Sequence, residues 1–284
     1  ARAGRLQFAA DAHLGDGSLT NFVNVDGGAL VFTPASSLTL SANRAVKFGP
    51  AHATVEVSEA AGVLTFSSVD AAGTGNLTKT GQGRLILPGV TSWNSGLGMV
   101  TVESGVLQAG FGADGVSAIN LGAAGTLSLV NLQAEVLTLA GSAGSLNIAS
   151  GATIGFELGA SGVGDRIVVG SGGTAVLTPS GSVTLNLFGL GGFGPGSFNL
   201  LSAPAGLSTA TYTLGAAPSG YNYTINASDT LVSVDVSSFI PRYWSNAQST
   251  GSWSTLAGGT GSNWATMADG SNDYAATPVA ADTV

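Results

Sequence analysis

The chain runs to 284 residues, of which 44 are glycine, 44% are apolar, only 8% are charged and none is cysteine. Its 16 acids and 8 bases leave a net charge of -8; spread without runs, this balance repels polyanions and argues against nucleic acid or an anionic membrane surface as partner. The apolar content, with mean hydropathy +0.37, excludes a disordered chain, and the lack of cysteine excludes a disulfide scaffold while fitting both a bacterial exported protein that folds without disulfides and a cytosolic one.

Residues 1 to 72 carry six short runs in which large apolar side chains alternate with polar ones. These are Leu6-Gln7-Phe8, Ala29 to Phe32, Leu38-Thr39-Leu40, Val46-Lys47-Phe48, Val55-Glu56-Val57 and Val63 to Phe66. Period-two alternation bounded by Gly, Ser, Asn, Asp and Pro is the signature of half-buried strands, and no long amphipathic helix is expected among them. Scarce charge and abundant Thr and Ser suit side chains stacked on like neighbours, where repeated charges would repel.

From Gly73 to Gly110 the pattern tightens. Leu85 to Leu87, Val100 to Val102 and Val106 to Gln108 alternate with glycine turns, and Leu85 and Leu107 begin equivalent pieces roughly 20 residues apart, within the range of solenoid repeats. The spacing predicts one coil of a parallel β-solenoid, written twice. The succession Leu77, Lys79, Gly81, Gly83, Leu85, Leu87, Gly89, an aromatic followed by glycine, Val102, Gly105, Leu107 and Gly110 resembles the passenger-associated repeat (autotransporter-associated β-strand repeat) of bacterial autotransporters and related secreted proteins. It departs in the middle, where Thr91-Ser92-Trp93 stands in place of Asn-x-Tyr. The resemblance implies an all-β, right-handed parallel β-helix exported across the inner membrane, and it does not imply an enzyme. Lys79 and Arg84, flanking Gly81 and Gly83, are expected to project from the turn as solvated charges.

Ala118 to Leu121, Thr126 to Leu129, Val136 to Leu139 and Ser145 to Ile148 continue the strands. Leu107, Leu127, Leu146 and Ile167 suggest a constant spacing of roughly 20 residues. About eleven such turns, at ~4.8 Å per strand, would make a rod on the order of 50 Å long. Longer runs follow at Ile154 to Leu158, Asp165 to Val169, Val183 to Leu187 and Ser197 to Leu201, then Tyr212, Tyr221 to Tyr223 and Leu231 to Val236. An open solenoid end exposes a strand edge. Residues 1 to 150 are therefore read as coils and 151 to 238 as the last coils plus a cap, with Gly-Asp-Arg-Ile-Val-Val and Pro-Gly-Ser-Phe-Asn-Leu-Leu more loosely similar to the closing region of passenger β-helices.

Phe239-Ile240-Pro241 opens a different segment, 239 to 284, with Tyr243, Trp244, Trp253, Trp264 and Tyr274 set among Gly, Ser, Asn and Thr. Such a series resembles the opening of a repeat unit, so it is expected to start the next unit of a tandem array or to dock end to end on a neighbouring molecule. Exposed tryptophans also stack on sugar rings, although filling a small cap or subunit junction is the plainer expectation. No apolar run reaches the ~18 residues of a membrane helix. Ala1 begins no recognisable signal peptide, so a removed signal or an excerpt from a longer chain is expected.

Chemical motifs are thin. His13 and His52 lack HxH or HExxH partners for zinc. The sequence Gly189 to Gly194 matches GxGxxG but runs into Pro195 and a strand, leaving no helix N-terminus for a pyrophosphate. Asp11, Asp16 and Asp26, like Asp269 and Asp273, do not supply the paired carboxylates on successive coils that sugar hydrolysis requires, and they read as turn residues. No catalytic residue, cofactor or metal is expected. The first reading is a non-catalytic extracellular β-solenoid serving as surface rod, fibre subunit or adhesin stalk; the alternatives are a carbohydrate-active β-helix enzyme and a glycan-binding module.

Overall fold

The computed structural model describes residues 4–18, 21–70, 75–90, 98–111, 116–139, 145–170, 174–177, 181–239, 243–244 and 264–265. It divides into two units, Ala1–Ser237 and Ser238–Val284. The described elements are strands, apart from two single-turn 3-10 helices, Asp11–Leu14 and Leu207–Thr209. Among the described residues no helix is long and apolar enough to cross a membrane.

Fourteen strands form one large sheet with two arms. The first arm stacks Arg5–Phe8, Ala29–Phe32, Ala53–Val57 and Leu77–Thr80, then the opening halves of Met99–Phe111 and Ala118–Ser128, then Ser145–Ile148 and Thr174–Leu177. The second arm stacks Ser37–Thr39, Val63–Thr65 and Arg84–Val90, the closing halves of the same two long strands, then Thr153–Leu158, Ser182–Gly189 and Thr211–Leu214. Every pairing within both arms is parallel. Between returns to the arms, the chain contributes strands to two further sheets. One holds Val23–Val25, Ala45–Phe48 and Ser68–Asp70; the other holds Val136–Leu139, Arg166–Val169, Gly196–Ser202, Leu231–Ser238 and Tyr221–Ala227. Parallel strands need a long connection between them, and here each connection is another strand. That arrangement is compatible with a β-solenoid.

Alternation decides which side chains face inward. In the second arm Leu38, Leu64, Leu85, Leu107, Leu127, Ile154, Leu185 and Leu214 stand in one file, each paired with the next. The six inner members are fully buried, each contributing about 1.5–3 kcal/mol through removal from water. The first arm has a matching inward file of Ala53, Leu77, Val100, Ile119 and Leu146. Facing outward one position away are Thr54, Thr78, Thr101, Asn120 and Asn147, an uncharged polar row. In it Asn147 Nδ2 donates to Asn120 Oδ1 at 2.6 Å.

The expected pairing of Leu85 with Leu107, and of Leu107 with Leu127, is present. The constant spacing is not. Leu127 pairs with Ile154, whereas Leu146 sits on Ile119 and Ile167 between Leu137 and Leu201. After Ser128 the connections between second-arm strands lengthen, and partners there lie 27 to 31 residues apart. Among the described residues that arm has eight strands, where about eleven turns were expected.

The corner between the arms explains the paired glycines. Gly81 and Gly105 both adopt left-handed backbone (φ 76° and 68°), and a Cβ on either would run into main chain of the neighbouring strand. This corner also corrects one expectation. Arg84 is exposed, but Lys79 is fully buried, on an inward position between Val55 and Val102. Its Nζ donates to the carbonyls of Thr80 (2.6 Å), Gly81 (2.9 Å) and Ser104 (3.1 Å). The carbonyls freed where the strand bends are what allow an ammonium to stay inside.

Both ends of the stack depart from plain strand. In the first repeat the 3-10 turn Asp11–Leu14 lies between a first-arm strand and Val23–Val25, where later repeats place a second-arm strand. Arg44, completely buried, holds that turn through Asp11 Oδ1 (2.9 Å) and the carbonyls of Leu14 (2.6 Å), Gly15 (2.8 Å) and Asp16 (3.1 Å). At the other end Leu207–Thr209 packs beside Thr174–Leu177 with Leu207 buried. Asp229 fixes it by accepting from Gly206 N and Ser208 Oγ. Gly196–Ser202 then pairs antiparallel with Leu231–Ser238, which ends the parallel order of that sheet.

Candidate functional site

The aromatic segment was the expected place for contacts. Its backbone forms a short antiparallel pair, Tyr243–Trp244 with Trp264–Ala265, in which Trp244 and Trp264 are direct partners. Trp253 and Tyr274, together with Asp269 and Asp273, lie outside the described residues.

The remaining expected candidates are accounted for by local structure. Asp11 pairs with Arg44 at 2.9 Å. Asp16 Oδ1 accepts from Ser18 Oγ and Asn21 Nδ2, bonds that hold its carboxyl below the usual range. Asp26 Oδ1 accepts from Ala51 N. His13 Nδ1 accepts from Ala9 N, and Asn76 Nδ2 donates to His52 Nε2. Among the described residues no three His, Cys, Asp or Glu side chains are placed to hold a metal ion.

A different set of residues converges where Val136–Leu139, Arg166–Val169 and Gly196–Ser202 run side by side. Ala134, Val136, Gly162, Val163, Gly164, Arg166, Ser197, Phe198 and Asn199 line a cavity of about 300 Å³. Its roof is the loop 159–164, fixed by Gly159 N to Val163 O (2.8 Å), Val163 N to Ala160 O (2.8 Å) and a bridge between Leu158 and Gly164. Left-handed Gly162 (φ 78°) makes the turn possible. Ser197 Oγ donates to Asp235 Oδ1, and Asn226 Nδ2 donates to Asp235 Oδ2 at 2.7 Å.

Two carboxylates brace the site. Asp165, completely buried, accepts from Glu135 N (2.9 Å) with one oxygen and from Glu157 N (2.7 Å) with the other. Glu157, 1% exposed, accepts from Asn131 N and Leu132 N, both at 2.7 Å, and so holds Leu132 in a left-handed conformation (φ 71°). Burial raises the Asp165 carboxyl to about 7; its two backbone donors oppose the rise and the charges of Glu157 and Glu135 add to it. The oxygens of Asp165 and one of Glu157 are thus spent on main-chain N–H groups, a positioning role instead of acid-base chemistry on a ligand.

The electrostatics of the cavity turn on Arg166. Among the described residues, Arg5 pairs with Glu56 at 2.9 Å, Arg44 with Asp11, Arg84 donates to Gln108 Oε1, Lys79 donates to three carbonyls and Lys47 lies 4.6 Å from the centre of the Phe22 ring. Arg166 has no such partner; it is exposed and opens into the cavity beside Asn199, whose amide is equally uncommitted. A second depression of about 330 Å³, lined by Arg5, His52 and Thr54 among others, has its cation already paired to Glu56. Sequence reasoning singled out neither Arg166 nor Asn199. Arg166 is one of only 8 bases, which could have flagged it, but nothing near residue 199 signals that it meets residues 134 and 163.

Comparison with protein-family models and with curated proteins finds no match to this chain.

Proposed function

We propose that this chain is a non-catalytic, extracellular structural or adhesive protein of a bacterial surface: a right-handed parallel β-helix of the passenger-associated repeat type, acting as rod, stalk or fibre subunit. The observation that carries the reading is the file Leu38–Leu64–Leu85–Leu107–Leu127–Ile154–Leu185–Leu214 across eight parallel strands. Strands hydrogen-bonded in one long ladder transmit load along the stack, and the Thr54–Thr78–Thr101–Asn120–Asn147 row presents a repetitive uncharged surface. The carbohydrate-hydrolase reading is disfavoured because the close acid pair, Glu157 and Asp165, is buried and bonded to backbone. End-to-end self-association draws support from Arg5–Phe8 and Thr211–Leu214, which stand last in the order of the large sheet among the described residues and where Leu6 and Leu214 are 42% and 39% exposed.

Electron microscopy of the purified full chain, with fibre or solution X-ray scattering, tests the proposal. Elongated particles or filaments with an axial spacing of ~4.8 Å are expected. Round particles without that spacing would overturn it.

A further inference from the structure

We propose that the cavity over Val136, Arg166 and Asn199 binds an acidic sugar residue, with the sugar carboxylate on the Arg166 guanidinium and ring hydroxyls on Asn199 and Ser197. In a protein of net charge -8, every other described cation already has an electrostatic, ring or carbonyl partner, whereas Arg166 has none and faces a formed cavity. A guanidinium presents a planar fork that matches a carboxylate. The adjacent Asn199 amide supplies both a donor and an acceptor, and Ser197 Oγ, already donating to Asp235, keeps acceptor capacity. A carboxylate and several hydroxyls carried on one sugar unit can answer all three groups from within a cavity of this size. At about 300 Å³ the cavity lies at the lower end of ligand sites, a size suited to one sugar unit of a longer chain entering from the open side.

The site is held before any ligand arrives. Asp165 ties the backbone on either side of the cavity through Glu135 N and Glu157 N, and the hydrogen-bonded 159–164 loop forms a fixed roof. Binding therefore costs little ordering of the protein. The inference needs only these local strands, so it stands or falls separately from the rod reading.

Calorimetric titration of the full chain with trigalacturonic acid tests it, with maltotriose and triglutamate as neutral and peptide controls. Saturable binding of trigalacturonate is expected, weakened by salt, with no binding of either control. Arg166→Gln should lower affinity about tenfold or more, and Asn199→Ala about threefold. Arg166→Gln should leave the melting temperature unchanged, because the guanidinium holds nothing else. Val163→Trp, which fills the cavity from an exposed loop position, should abolish binding while Arg166 remains. Absence of saturable trigalacturonate binding, or equal affinity in Arg166→Gln, overturns the proposal. Equal binding of triglutamate overturns the sugar assignment in favour of a peptide carboxylate, and binding of maltotriose overturns the role of charge.

Discussion

Two neighbouring stretches keep their strands in place by different means. Between Val63 and Ser128, successive second-arm strands meet through Leu64, Leu85, Leu107 and Leu127, all fully buried, at intervals of 20 to 22 residues. Between Leu129 and Arg166 the interval lengthens to 27 residues, and buried carboxylates of Glu157 and Asp165 tie the turns. Apolar packing has no direction and tolerates repetition, so it suits a constant period. Hydrogen bonds to backbone are directional and fix one irregular corner. The cavity opens where the second stretch meets Ser197, Phe198 and Asn199, because an irregular corner leaves concave space that a regular ladder does not.

Several substitutions would separate these two modes. The largest effect is expected from Leu107→Ala at the centre of the aliphatic file, a loss of about 2–5 kcal/mol from removed contacts and the void left behind, read from the midpoint of urea unfolding. Arg44→Met comes next, at about 3 kcal/mol, since the carbonyls of Leu14, Gly15 and Asp16 would lose their donor; amide exchange should show the 11–16 turn opening first. A loss spread evenly over the molecule would instead tie the turn to the core.

Asp165→Asn should cost about 1–3 kcal/mol, because an amide cannot accept from both Glu135 N and Glu157 N. It should also change the pH dependence. Asp165 in the folded protein is raised from 3.8 to about 7, so the folded state binds its proton more tightly. Stability therefore falls as pH rises through about 7 and increases on acidification toward about 4. Lys79 is lowered by burial from 10.5 to about 8. The folded state releases that proton more readily, and stability increases as pH rises from about 8 toward 10.5. With both groups ionised between about pH 7 and 8, stability should pass through a shallow minimum there. Asp165→Asn should flatten the acidic limb and Lys79→Met the basic one; a monotonic profile in the unsubstituted chain would contradict the burial of both charges. The smallest effect, within about 0.5 kcal/mol, is expected for Arg84→Gln on the exposed side of the regular stretch.

Much of the ladder was legible because alternation of large apolar with polar residues maps directly onto inward and outward positions. Leu85 and Leu107 were matched by period alone, and all six runs before residue 67 coincide with strands. Assignment of sheets was not legible. Leu127, Leu146 and Ile167 have the same local character yet stand in three different files. Lys79 misled for a related reason: a charged residue in a strand reads as solvent-facing, and its interior place depends on the carbonyls of Thr80 and Gly81 together with that of Ser104, 25 residues away.

The sequence by itself determined that this chain is all-β, that its strands stack on like neighbours, and that glycine marks its corners, since backbone sterics and side-chain periodicity are local properties. Tertiary structure alone decided where the interval stretches, which charges are buried and which cation among the described residues is left without a partner. Those outcomes depend on residues 20 to 40 positions apart meeting in space, and hydrogen-bond satisfaction inside a protein is settled only when they meet.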